Sequence, residues 1–337
     1  MGKYPILTVL ALLILAAGCA QQQPTAPAQQ EEPALGEILR LDPAMDTIVP
    51  AGAKIEKLAG GFTFTEGPVW MPDGFLLFSD IPANVIRRWS PDGQVSVFLE
   101  KSGYDKTDYR EGAFIGANGL TLDPQKRLVM CEHGSGRVTR LEADGSRTVL
   151  ADKYQGQRLN SPNDVVFKSD GSLYFTDPDY GLPRPEMKEL DFQGIYRVKD
   201  GQLELLSKEQ TKPNGIAFSP DEKTLYVANS DPAKKVWMKY DVAPDGGIVN
   251  GAVFYDVTAE TAEGLPDGMK VDRQGNLYCT GPGGVWIFSP AGQRIGNINP
   301  PEVPANLHWG DADGRTLYMT ARTGLYRIKL AVAGIRP

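Results

Sequence analysis

Cysteine is scarce, with three in 337 residues, one of them at position 19. That is too few for a disulfide scaffold. No stretch rich in lysine and arginine offers an electrostatic footprint for nucleic acid, and the formal net charge of -7 agrees; nucleic acid is set aside as a partner. The one early apolar run, Ile6 to Ala17, is too short to span a bilayer. Past it, no stretch exceeds about a dozen residues without glycine or proline, so helices of roughly 10–20 residues have almost nowhere to sit. What is present is a globular composition, 41% hydrophobic and 23% charged, punctuated by 37 glycines and 26 prolines. The composition points to an all-β chain.

Residues 1–18 read as a secretory leader: Lys3 gives a short positive start, the apolar run follows, and Leu15-Ala16-Ala17-Gly18-Cys19 resembles the bacterial lipobox. Cleavage before Cys19 and acylation of that residue would anchor the chain to a membrane, since several acyl chains hold where one is marginal. An ordinary signal peptide with an incidental Cys19 is the alternative. Residues 19–34, rich in Gln, Pro and Ala, cannot bury enough surface to fold and read as a tether. Ala20 after Cys19 resembles the outer-membrane sorting pattern of Gram-negative bacteria. The expected localisation of the folded part, residues 35–337, is therefore extracytoplasmic.

One phrase recurs through that part: a polar residue, often followed by glycine, a short hydrophobic strand, a turn of the Asp-Gly type, and a second strand. Glu66, Asn118, Asn163, Asn214, Asp267 and Asn306 lead the six copies, at intervals of 39 to 53 residues. Third and fourth strands follow in most units, as at Gly194-Ile-Tyr-Arg-Val and Leu203-Glu-Leu-Leu. Strand-turn-strand units of this kind are antiparallel hairpins. Four short strands in roughly 40–50 residues make a propeller blade, and six units imply a six-bladed β-propeller with four-stranded antiparallel blades. The sixth unit ends after three strands near Leu330, so the early segment from Lys54 to Leu58 is expected to complete it and close the ring. Cys131 and Cys279 fall on equivalent second strands of non-adjacent units and read as small buried hydrophobes.

The first strand of each blade lines the central channel, so the six lead residues are expected to meet at one mouth. Asn-Gly and Asp-Gly are also ordinary turn dipeptides, and a single one carries no more than that. A polar slot filled in every unit favours a shared site. Two carboxylates with several amide oxygens form a hard-oxygen set suited to Ca²⁺, less so to octahedral Mg²⁺, and the set holds no His or Cys to favour zinc.

The blocks FTEGPVW around Glu66, ANGLTLD around Asn118, CEHGSGRVTR around His133 and RLNSPNDVVFKSDGSLYFTDPDYG around Asn163 resemble the SMP-30/gluconolactonase family, as do KPNGIAFSPD around Asn214 and LPDGMKVD around Asp267. The resemblance spans residues 40–330. It implies a six-bladed propeller with one divalent cation, usually Ca²⁺, held by Glu66, Asn163, Asn214 and Asp267, with Asn118 as a substrate contact. It also implies hydrolysis of a sugar lactone such as D-glucono-1,5-lactone, with the carbonyl polarised by the cation and water activated by Asp267. Asp267 as a nucleophile is the alternative, because a bound cation weakens it as a base.

Two other functions compete: hydrolysis of phosphotriesters or other esters at the same metal, and a non-catalytic propeller displayed at the cell surface. The second predicts erosion of the polar channel set, and that set is intact. His133 reads as a hydrogen-bonded structural residue, with a role at the mouth the alternative. His308, two residues beyond Asn306, should share its face and point into the channel, in a structural role or behind the metal. The segment Asp177-Pro178-Asp179-Tyr180-Gly181 reads as a turn in preference to a second ion site. Ser102–Ile115, with Tyr104, Tyr109 and Arg110, and Gly181–Gln193, with Arg184, read as loops, the first near the mouth. No serine lies in a Gly-x-Ser-x-Gly elbow.

Overall fold

The structure is a computed structural model that describes residues 1–2 and 35–337. The expectations placed on residues 3–34, acylation of Cys19 among them, lie outside the described residues. Six antiparallel sheets follow one another along the chain as the blades of a propeller. Their inner strands are Thr65–Met71, Ala117–Leu122, Val165–Phe167, Pro213–Phe218, Met269–Val271 and Pro304–Gly310, and neighbouring inner strands touch around the ring. Each pairs with a second strand: Phe75–Asp80, Leu128–Glu132, Leu173–Asp177, Thr224–Asp231, Leu277–Gly281 and Thr316–Ala321. Beyond strands, the described residues contain one five-residue helix, Ala44–Ile48, and a 3₁₀ turn at Pro185–Met187.

The ring closes as expected. Ile55–Gly60 forms the outer strand of the sixth blade, with Ile55 opposite Ile328 and Gly60 opposite Gly324. A further element went unforeseen: Glu37–Arg40 adds a fifth strand to the outer edge of the fifth blade, pairing with Arg294–Asn299. The short helix between these two strands buries Met45 and Ile48 in the core shared by blades five and six. The N-terminal segment thus clasps two blades, covering two edges that would otherwise expose unpaired backbone.

The core consists of layers between blades, because each sheet must bury both faces against its neighbours. Leu76, Phe78 and Trp89 of the first blade meet Tyr318 and Leu325 of the sixth. Trp237 of the fourth meets Trp286 and Phe288 of the fifth. Cys131 and Cys279 are buried, free thiols in the second and fifth blades.

Candidate active site

In four units the lead residue is followed by glycine, and packing around the ring explains why. A Cβ at Gly67 would lie 1.9 Å from the Asn118 carbonyl oxygen, and one at Gly215 would lie 2.1 Å from that of Asp267. Only glycine lets neighbouring inner strands approach this closely. Hydroxyls at the ends of three second strands fasten the lead segment of the next blade. Ser79 Oγ donates to Asn118 O at 2.8 Å, Thr176 Oγ1 to Asn214 O at 2.7 Å, and Thr280 Oγ1 to Ala305 O at 2.8 Å. Sequence reasoning missed these hydroxyls, although Ser79, Thr176, Thr280 and Thr320 recur at one position of the repeat.

Glu66, Asn118, Asn163, Asn214 and Asn306 are all buried, while Asp267 is half-buried with its Oδ1 enclosed. Glu66 Oε2 accepts from Gly67 N at 2.5 Å and from Asn306 Nδ2 at 3.0 Å. Asn306 Oδ1 accepts from Leu307 N at 2.8 Å, so this sixth lead residue orients Glu66 and its oxygen is already engaged. Asn214 Nδ2 donates to Ser230 Oγ at 2.8 Å, leaving its Oδ1 buried without a donor; Asp267 Oδ1 is likewise without one among the described residues.

A third carboxylate lies beside these. Asp164, buried, accepts from Val165 N at 2.9 Å and Ile216 N at 3.3 Å. Burial first, and then the charges of Glu66 and Asp164, push the Asp267 carboxyl well above the usual carboxylate range. Burial and the Asp164 charge push Glu66 up as well, opposed by its bonds from Gly67 and Asn306. Buried oxygens without donors, beside carboxylates that resist ionising together, form a set that a divalent cation would satisfy. Among the described residues no three His, Cys, Asp or Glu side chains gather as metal ligands, so the amide oxygens are integral to such a site.

His133 is buried and bonds on both ring nitrogens. Nδ1 lies 3.2 Å from Phe114 O, and Nε2 lies 3.1 Å from Asn118 Nδ2 and 3.4 Å from Asn163 Nδ2. Burial pushes its pKa down to about 4, so the ring is neutral. Because a carbonyl only accepts, Nδ1 carries the proton and Nε2 accepts from both amides. The ring is thus hydrogen-bonded through both nitrogens, as read from the sequence, and two of its partners are the lead residues Asn118 and Asn163.

The loop Ser102–Ile115 backs onto the mouth through Phe114, whose ring stands 5.1 Å from that of Phe64, and joins the second loop where Arg110 N donates to Pro183 O at 3.2 Å. In the segment read as a turn, Asp179 is held by Lys188 and Lys212. The turn forms, with Leu182 N donating to Asp179 O, and within it the Tyr180 hydroxyl is buried without a partner among the described residues, while burial together with the charges of Asp267, Glu66 and Asp164 pushes its pKa well up. His308 faces the channel as the strand period requires, but lines a cavity of about 390 Å³ at the opposite end, with Leu122, Phe218, Lys270 and Val271. Its Nδ1 bonds Trp309 O at 2.8 Å.

Residues 64–323 match the model of the SMP-30/gluconolactonase/LRE-like region. The gluconolactonase of Zymomonas mobilis subsp. mobilis is 37% identical over 317 residues, covering 89% of this chain and 88% of its own. The solved gluconolactonase of Xanthomonas campestris superposes with a TM-score of 0.78 at 34% identity, covering 88% of this chain and 96% of that one. The diisopropyl-fluorophosphatase of Loligo vulgaris is 30% identical over 278 residues, 76% of this chain and 84% of its own. A family match over most of the described propeller, with relatives alike along nearly their whole length, places this chain in the SMP-30/gluconolactonase/LRE-like family.

Proposed function

We propose that the chain is a hydrolase that opens a sugar lactone of the D-glucono-1,5-lactone type to the aldonic acid, with one Ca²⁺ at the channel mouth. The observation that carries this reading is the pair of buried, donor-less oxygens, Asn214 Oδ1 and Asp267 Oδ1, beside the Glu66 carboxylate. Glu66, Asn163, Asn214 and Asp267 would hold the cation. When bound, Ca²⁺ supplies Lewis-acid polarisation of the lactone carbonyl and stabilises charge developing on its oxygen.

Asp267 takes a proton from water as that water attacks the carbonyl carbon. The ring C–O bond then breaks, and the proton passes to the departing ring oxygen. Asn118, its amide nitrogen engaged by His133, keeps an amide oxygen to accept from a sugar hydroxyl. The Tyr180 hydroxyl supplies a donor to the substrate. Phosphotriester cleavage at the same residues is the second reading, favoured by the likeness to the fluorophosphatase.

The test is pH-stat hydrolysis of D-glucono-1,5-lactone with Ca²⁺, with EDTA, and with Asp267→Ala. Acid release abolished by both EDTA and the substitution is the expected result. Tight Ca²⁺ binding without lactone hydrolysis would move the proposal to the phosphotriester, and neither binding nor activity would leave a displayed, non-catalytic propeller. The leader carries a separate proposal: Cys19 is acylated and the tether of residues 19–34 displays the propeller outside the cytoplasm. Cys19→Ala should then release the protein from the membrane fraction; unchanged partitioning would refute the anchor.

A further inference from the structure

We infer that His133 is a positioning residue that aims the amide oxygens of Asn118 and Asn163 into the channel mouth. The inference rests on the cation reading above and extends it to a side chain that touches neither cation nor substrate.

An asparagine amide has two ends of nearly the same size and opposite function: the oxygen accepts and the nitrogen donates. An amide ligand serves a cation only with its oxygen forward, so something must decide which end faces the channel. For Asn214 that partner is Ser230 Oγ, which is itself committed as a donor to the Pro266 carbonyl and so can only accept from the amide nitrogen. For Asn118 and Asn163 one ring performs the same task. His133 Nδ1 faces the Phe114 carbonyl at 3.2 Å, which commits the proton to that nitrogen. Both amide nitrogens face Nε2, at 3.1 and 3.4 Å, so Nε2 accepts from them with its lone pair. Each amide is planar, so turning the nitrogen to the ring turns the oxygen away from it.

The ring is fixed in turn. It is 1% exposed, and a Cβ at Gly181 would lie 2.4 Å from its Cγ and Nδ1, so no side chain fits between that backbone and the ring. The Tyr180 ring meets it edge-on at 6.2 Å between centroids. Two sequence features that otherwise stand apart, Glu132-His133-Gly134 and Tyr180-Gly181, are thereby parts of one device. Outer partners fix the ligating atom of a metal-bound histidine, and a ligating amide is oriented in the same way.

Two substitutions separate this role from plain packing. Gln in place of His puts an amide near the Nε2 position and can present an acceptor to the two asparagines. Asn puts one near the Nδ1 position, keeping a donor for Phe114 but leaving the two amides without an acceptor. The full chain, solubilised in detergent, is titrated with Tb³⁺ as a luminescent stand-in for Ca²⁺, and lifetimes in H₂O and D₂O count the coordinated waters. His133→Asn should weaken Tb³⁺ binding by about 10–100-fold and add a coordinated water, whereas His133→Gln should stay within about threefold of wild type. Wild-type binding left unchanged by His133→Asn, or weakened more by His133→Gln than by His133→Asn, overturns the inference alone. A wild type that binds no Tb³⁺ overturns the cation reading and this inference with it.

Discussion

Gly215→Ala offers a test of how the ring positions its chemistry. Gly215 sits on the fourth inner strand without a left-handed backbone, so alanine is acceptable there on conformational grounds. Its added methyl would nonetheless lie 2.1 Å from the Asp267 carbonyl oxygen and 2.8 Å from both the Asp267 carbonyl carbon and Gly268 Cα. A carbon and an oxygen in contact need about 3.3 Å, so the Asp267 backbone must retreat by roughly 1 Å, and no flexible side chain is present to yield instead. Overpacking of this kind costs about 1–3 kcal/mol. With an unfolding entropy of about 2.1 cal/mol/K per residue over some 300 residues, that is a fall in Tm of roughly 2–5 °C. Misplacing a catalytic group by about 1 Å costs activity of order 100-fold. Calorimetry and lactone kinetics should therefore show a modest loss of stability and a large loss of kcat/KM. Gly52→Ala, at a position with nothing within 4 Å, should change neither. Activity within about threefold of wild type in Gly215→Ala, with an unchanged Tm, would refute the claim that blade-to-blade approach sets the position of Asp267.

Asn306→Leu removes one of two donors to Glu66 Oε2 and should lower kcat/KM about tenfold or more, a hydrogen bond to a charged group contributing about 1.5–3 kcal/mol; an unchanged rate would deny Asn306 its orienting role. Tyr180→Phe deletes a hydroxyl with no partner among the described residues, so Tm should hold while kcat/KM falls; equal activity would mean that the hydroxyl does not meet the substrate. The carboxylates give a pH prediction for the protein in EDTA. Glu66 and Asp267 are both raised in the fold, so their contribution to stability is full below the ordinary carboxylate range, near pH 4, and is lost as pH rises through the folded values. The Tm advantage of Glu66→Gln over wild type in EDTA should thus grow from about pH 5 to about pH 8, and saturating Ca²⁺ should abolish it. A constant difference across that range would contradict mutual repulsion at the mouth.

The propeller was legible because its information is periodic along the chain. Six lead residues at intervals of 39 to 53 residues specify six inner strands whose leading ends meet at one channel mouth, and the family resemblance, not the period, singles out Glu66, Asn163, Asn214 and Asp267 among them. What stayed hidden is what depends on orientation and on partners from other blades. Asn306 occupies the same slot as Asn214, yet one offers an oxygen and the other a nitrogen, because Leu307 N claims the first oxygen and Ser230 Oγ the second nitrogen. Asp164 stands where four other units place glycine, so the pair Asn163-Asp164 read as one lead residue and a neighbour, when it adds a third buried carboxylate. Glu37–Arg40 escaped notice for a different reason: four residues, none fully buried, carry no period to detect, and only the open edge of the fifth blade makes them a strand. His133 combines both limits. Nothing in CEHG says which nitrogen holds the proton; the Phe114 carbonyl, 19 residues away on a loop, decides it. Spacing along a strand tells which side chains meet, and the hydrogen-bond partner behind each one tells which of its atoms faces the substrate.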